Sequence, residues 1–175
     1  MKADAASILL PAEEVARRVE DAALRLKPLV DDQTVVVCLL TGGLWFAADL
    51  TRALSRLGVN PAFDALWLAS YGDDTASRGR IEVRAGLQRP VTGLRVLLID
   101  EVMDSGLSLS EAARIVRQDG AAAVAACVFA RKPWPEPRDF NPDVVAWEAP
   151  ARFLAGYGMD LAGRWRGVPD VLALD

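Results

Sequence analysis

Two apolar runs in this chain lack the polar interruptions of a half-exposed strand: TVVVCLL (Thr34–Leu40) and RVLLID (Arg95–Asp100). A strand with one wet face alternates polar and apolar residues, whereas a strand covered on both faces is apolar throughout. The runs therefore call for helices on both sides of a mostly parallel central sheet, an α/β fold. The intervening segments supply those helices. Residues 12–27 place Val15, Val19, Ala22 and Leu26 near one face, with Pro28 as a stop. Phe46, Leu50, Ala53, Leu54 and Leu57 form a second stripe that ends at Gly58. Leu109, Ala112, Ala113 and Val116 form a third, in a helix expected from about Leu109 and closed by Gly120. Further strands are expected over residues 62–69, 123–130 and 144–147, and the alternating IEVRA (81–85) reads as an antiparallel return. Polar Ser70–Arg80 reads as an exposed, mobile loop, the four-proline stretch Pro133–Pro142 as another loop, and the tail from Ala149 as irregular.

At 175 residues the chain is expected to form one domain. The net charge of −4 argues against broad nucleic-acid binding. No apolar run is long enough to span a membrane and the start does not read as a signal peptide, so a cytoplasmic location is expected. Cys38 and Cys127 sit in apolar runs and read as buried thiols. The chain has no histidine, which removes histidine catalysis and most zinc chemistry and leaves acid–base work to Asp, Glu, Lys or Tyr.

In parallel sheets ligands bind beyond the carboxyl ends of the strands. The segment there with the most chemistry is VLLIDEVMDSGLSLS (Val96–Ser110). A helix N-terminus offers unpaired N–H donors and a positive dipole end, so a strand-to-helix turn with Gly106 makes a phosphate cradle. Ser105 and Ser108 add hydroxyls, although Ser108 and Glu111 also match a capping box, in which Ser108 only caps its helix. The paired acids Asp100 and Glu101 suit ribose hydroxyls or a divalent cation. Neither common phosphate loop, G-x-x-x-x-G-K-[ST] or G-x-G-x-x-G after a strand, is present.

This segment resembles the phosphoribosyl-diphosphate signature of the type I phosphoribosyltransferases, with the order Asp100-Glu101 where Glu-Asp is usual. CLLTGGLWFAADL (Cys38–Leu50) is similar to the first active-site loop of the hypoxanthine-guanine branch, where L-K-G-G is common and Thr41 here replaces lysine. Ser70-Tyr71 resembles the opening of that branch's mobile lid. RFLAGYGMDLAGRWR (Arg152–Arg166) resembles its K-F-V-V-G-Y-x-x-D-Y-x-x-x-x-R segment through Phe153, Leu154, Gly156, Tyr157, Asp160 and Arg166. The likeness runs in matching order from about Val36 to the C-terminus.

The resemblance implies the type I phosphoribosyltransferase fold over residues 1–175, with a small hood built from the terminal segments and a base-binding contribution from about residue 133 onward. It implies purine salvage, a Mg²⁺-dependent transfer of the phosphoribosyl group of phosphoribosyl diphosphate to hypoxanthine and also guanine. Thr41, Gly42, Gly43, Asp100, Glu101, Asp104, Ser105, Gly106, Leu107, Ser108 and Arg166 would hold the donor. Asp104 would be the acid–base group at the purine's seven-position nitrogen. Lys132 would donate to the six-position oxygen, Phe153 would stack on the base, and Leu154 and Asp160 would complete the purine site. Asp100, Glu101 and Asp160 would hold the metal, and Ser70 and Tyr71 would belong to the lid. The expected partners are phosphoribosyl diphosphate and a 6-oxopurine, with no nucleic acid and no membrane, in a homodimer or homotetramer. Preference for xanthine, a regulator that has lost catalysis, and a plain nucleotide-binding module are the alternatives.

Overall fold

The computed structural model describes residues 6–71 and 80–174. Its core is a six-stranded sheet in the order β4-β3-β2-β5-β6-β7. The strands are β2 (Val35–Leu40), β3 (Ala62–Tyr71), β4 (Arg80–Ala85), β5 (Arg95–Met103), β6 (Ala123–Arg131) and β7 (Val144–Glu148). All neighbours are parallel except β3 and β4. The helices are α1 (Ala12–Leu26), α2 (Gly43–Arg56) and α3 (Leu107–Gln118), and Pro28 lies in a 3-10 turn directly after α1.

The side-chain period of a strand explains the unbroken apolar runs. Val36 and Cys38 of β2, with Leu97 and Ile99 of β5, point into a core shared with α1 and α2. Val35, Val37 and Leu39, with Val96 and Leu98, point into the opposite core, closed by α3. Each face buries its own set, so the central positions Val35–Leu39 and Val96–Ile99 are all apolar.

A second sheet of three short strands has the order β1-β9-β8, formed by Ala6–Leu10, Val171–Leu174 and Phe153–Ala155. Ala6 pairs with Leu174, the two ends of the described chain, and Phe153 pairs with Leu174 on the other side. The tail is therefore not irregular throughout, as its sequence suggests. Long-range bonds join this small sheet to the main body. Asp170 Oδ1 accepts from Ala12 N at 2.8 Å and so satisfies an N-terminal donor of α1, whose preceding residue, Pro11, makes no side-chain cap.

Three further boundaries differ from the sequence reading. Strand β5 continues through Asp100-Glu101 to Met103, because Val102 and Met103 still pair with β6. Helix α3 begins at Leu107, two residues early, since its N-cap is Gly106 at φ +83. Ser108 thus lies inside the helix and makes no cap, and Glu111 binds Arg114 instead of closing a capping box. Ser70 and Tyr71, expected to open the lid, have strand backbone paired with Ile81 and Arg80. The rest of the expected lid, and the side chains of Ser70 and Tyr71, lie outside the described residues.

Candidate active site

Two helices start where adjacent central strands end. Strand β2 runs out at Leu40, the Leu40–Thr41 peptide is cis, and Gly43 opens α2. Strand β5 runs out at Met103, and Gly106 leads into α3. Neither α2 nor α3 carries an acid in its first turn, whereas the surface helix α1 carries Glu13 and Glu14 there. The positive ends of α2 and α3 are thus left for an external anion.

Two cavities adjoin these ends. One, of about 210 Å³, is lined by the whole turn from Asp104 to Leu109 together with Asp100 and Val102. The other, of about 500 Å³, is lined by Leu40, Thr41, Gly42, Trp67, Arg84, Glu101 and Arg166. Asp100, Val102 and Ser108 belong to both walls. A ligand that spans them places an anionic group at each helix start and a polar middle beside Asp100, which is the outline of a sugar phosphorylated at two ends.

Glycine is required by close approach at Gly42 and Gly158. A Cβ on Gly42 would lie 1.7 Å from Glu101 Oε1. A Cβ on Gly158, at φ +96, would lie 2.2 Å from the carbonyl oxygen of Gly42. The turn carrying Gly158 is itself pinned, with Tyr157 N donating to Val168 O (2.7 Å) and Gly158 N to Arg166 O (2.9 Å). Tyr157, buried against Phe129 at 4.7 Å between ring centroids, donates its hydroxyl to Asp49 Oδ2 at 3.0 Å. Burial first, and the Asp49 carboxylate second, push that phenol far above its ordinary range.

The charged side chains form two groups. Arg166 Nη2 meets Asp160 Oδ1 at 2.6 Å and its Nη1 lies 3.8 Å from Glu101 Oε1. Lys132 Nζ lies 3.4 Å from Asp104 Oδ1, across the ends of neighbouring strands β6 and β5. At the floor, Glu101 N donates to Asp100 Oδ1 at 3.0 Å. Burial and then the adjacent Glu101 carboxylate push the Asp100 carboxyl well above the usual carboxylate range. Cys38 lies behind this pair, its thiol pushed up to about 12 by burial and then by the charges of Asp100 and Glu101.

The expected site residues are thus placed unevenly. Thr41, Gly42, Asp100, Glu101, Ser108 and Arg166 share the larger cleft, and Asp104, Ser105, Gly106 and Leu107 line the smaller. Gly43 packs under them, its Cα facing Ile99 O and Asp100 Cα. Phe153 is about half exposed on the small sheet. Leu154 is only 4% exposed and packs in the core. The three carboxylates expected to bind metal do not converge, because Asp160 is turned to Arg166, and no metal-binding group of three such residues occurs among the described residues.

Sequence reading missed Arg138. From the proline-rich loop, its Nε donates to Asp104 O at 2.8 Å and its Nη2 to Lys132 O at 2.6 Å. Lys132 N also donates to Met103 O at 3.0 Å. One guanidinium therefore ties together the backbones that carry Asp104 and Lys132. The planar fork can bridge two carbonyls in a way an ammonium cannot.

With the geometry in place, comparison with known proteins gives consistent matches. The sequence model of the phosphoribosyl transferase domain family matches residues 6–161. A hypoxanthine-guanine phosphoribosyltransferase of Aquifex aeolicus is 33% identical over 170 residues, covering 96% of this chain and 94% of the relative. One from Bacillus subtilis is 31% identical, covering 97% of this chain and 93% of the relative. A crystal structure of a hypoxanthine-guanine phosphoribosyltransferase from Bacillus anthracis superposes with a TM-score of 0.86 at 27% identity, over 97% of this chain and 98% of that one.

Proposed function

This chain belongs to the phosphoribosyl transferase domain family, and from that premise we propose that it transfers a phosphoribosyl group from phosphoribosyl diphosphate to hypoxanthine in purine salvage, and to guanine as well. The observation that carries the reading is the pair of acid-free helix starts joined by the wall of Asp100, Val102 and Ser108. The 5′-phosphate sits in the Asp104–Ser108 turn, against the N–H groups of α3 and the hydroxyls of Ser105 and Ser108. The diphosphate lies at Thr41-Gly42-Gly43 and Arg166, and the ribose hydroxyls face Asp100 and Glu101.

The base enters between Lys132 and Phe153. The Lys132 ammonium donates to the six-position oxygen of a 6-oxopurine. Adenine presents an amino group there, which cannot accept that bond. Asp104, beside Lys132, takes the proton from the seven-position nitrogen as the new bond to the ribose carbon replaces the bond to diphosphate. Lys132 at 3.4 Å keeps the Asp104 carboxylate close to the base edge. Most of the remaining rate comes from holding donor and base in line. The small sheet of β1, β9 and β8 acts as the hood over the base, so one domain spans residues 1–175. Ser70 and Tyr71 belong to a lid that keeps water from competing with the base.

The donor set fits Mg²⁺ only in part. A cage built from protein carboxylates is excluded among the described residues, but a magnesium ion commonly takes one or two carboxylates and completes its shell with water and substrate phosphates. Asp100 and Glu101 at the cleft floor would hold it in that way, and Asp160 would act through Arg166. The chemistry supplied there by the bound ion is neutralisation of charge on the departing diphosphate.

The test is product formation from hypoxanthine, guanine, xanthine and adenine with phosphoribosyl diphosphate, with and without Mg²⁺. Turnover of hypoxanthine and guanine supports the reading, and turnover of adenine alone overturns it. No helix of the described residues is long and apolar enough to cross a membrane. Assembly as a homodimer or homotetramer in the cytoplasm completes the proposal.

A further inference from the structure

We propose that Arg84, on the antiparallel edge strand β4, is a direct ligand of the donor's diphosphate. The inference rests on the reading of the larger cleft as the diphosphate end of the donor site. That cleft has an acidic floor, Asp100 and Glu101, and two cationic wall residues, Arg166 and Arg84. Arg166 is already committed: it pairs with Asp160 at 2.6 Å, donates to Gly158 O, and stands 3.8 Å from Glu101. Its positive charge is spent largely on neighbouring carboxylates. A diphosphate carries several negative charges, more than a largely paired Arg166 and a magnesium ion held by Asp100 and Glu101 would balance, so the cleft calls for a further cation.

Arg84 meets that requirement. Among the described residues its one ion pair is with Glu82, at 3.8 Å between two side chains that are each about half exposed, a contact of little strength. Its guanidinium is held over the ring of Trp67, 5.7 Å from the centroid, and Trp67 is itself part of the cleft wall. Stacking on an aromatic face fixes the plane of a guanidinium while leaving its N–H edge free to donate. The strand register adds to this, since the β3–β4 ladder shifts between Trp67 and Leu68, opposite Arg84. A ladder irregularity of this kind re-aims the side chain beside it. Across the cleft stands the start of α2, with Thr41 and Gly42, so a diphosphate between them meets backbone N–H groups on one side and Arg84 on the other.

The experiment is isothermal titration of the parent, Arg84→Gln and Arg84→Lys with two probes, diphosphate plus Mg²⁺ and inosine monophosphate, alongside the KM for phosphoribosyl diphosphate. Thermal unfolding establishes that each variant is folded. Loss of one half-exposed charge-assisted contact is expected to weaken diphosphate about tenfold in Arg84→Gln and to raise the donor KM in step. Arg84→Lys retains part of the affinity, and inosine monophosphate, which has no diphosphate, binds all three proteins alike. Equal diphosphate binding by parent and Arg84→Gln, or a parallel loss for inosine monophosphate, overturns the role of Arg84 while leaving the site reading intact. A parent that binds neither probe overturns both.

Discussion

Replacing Gly158 with alanine should cripple the enzyme through a loop that carries none of the reacting groups. Two effects act at this residue. Its φ of +96 is a conformation that an L side chain adopts only at a cost of about 1–2 kcal/mol. In addition, the new Cβ would come within 2.2 Å of Gly42 O, where an ordinary contact is at least 3.4 Å, so one backbone must yield by about 1 Å. Gly42 has no slack on its other side, because Glu101 packs against its Cα. The Thr41–Gly43 loop, proposed to hold the diphosphate, is therefore displaced, and a 1 Å misplacement of a positioning group can cost about 10²-fold in rate. Gly163→Ala is the control, since Gly163 has a similar φ of +76 and nothing within 4 Å of its Cβ position. Both variants should lose a few degrees of Tm, from strain of about 1–2 kcal/mol. Only Gly158→Ala should lose about 10²-fold in kcat/KM for phosphoribosyl diphosphate, measured by steady-state kinetics. Equal activity of the two folded variants would refute the claim that Gly42 positions the donor.

Two other outcomes follow from the same geometry. Arg138→Ala frees the backbones of Asp104 and Lys132 from each other, so the KM for hypoxanthine should rise and kcat fall, together about 10–100-fold, while an Arg138→Lys variant, lacking the two-pronged fork, recovers little; unchanged kinetics in a folded Arg138→Ala protein would count against this. Asp100→Asn should stabilise the ligand-free protein at neutral pH. The Asp100 carboxyl is pushed upward in the folded state, so its ionisation costs native stability as pH rises from the unfolded carboxylate range through the folded pKa. The variant's advantage in denaturant unfolding should therefore vanish below about pH 4 and be greatest at neutral pH, and a variant less stable than the parent at pH 7 would contradict the burial argument.

The legibility of this chain in its sequence follows the range of the interactions. The two-sided strands were readable because both faces of β2 and β5 are buried, leaving an unbroken apolar signal. The strand-to-helix turn at Asp104–Ser108 was readable because acids, glycine and hydroxyl residues fall together at one strand end. The small sheet was not, since β8 has three residues and its neighbour β9 four, too few to carry a period. Its partners also lie at opposite ends of the chain. The start of α3 was misplaced because Ser108 and Glu111 mimic a capping box, whereas Gly106 in a left-handed conformation caps the helix two residues earlier. Phe153 and Leu154, both expected at the base site, have opposite surroundings in β8, since strand alternation sends adjacent side chains to opposite faces, one outward and one to the core. Arg138 was hidden because proline punctuation marks a loop without indicating which backbone a side chain in it will bind.

The role proposed for Asp104 is to handle the purine's proton beside a gripped sugar phosphate. Its most direct test is the kcat of Asp104→Asn with hypoxanthine at saturating phosphoribosyl diphosphate, set against the affinity of the same variant for inosine monophosphate. A fall of about 10²–10⁴-fold in kcat with near-parent monophosphate binding is the expected result. A variant that turns over like the parent, or one whose loss of rate is matched by loss of monophosphate binding, would contradict it.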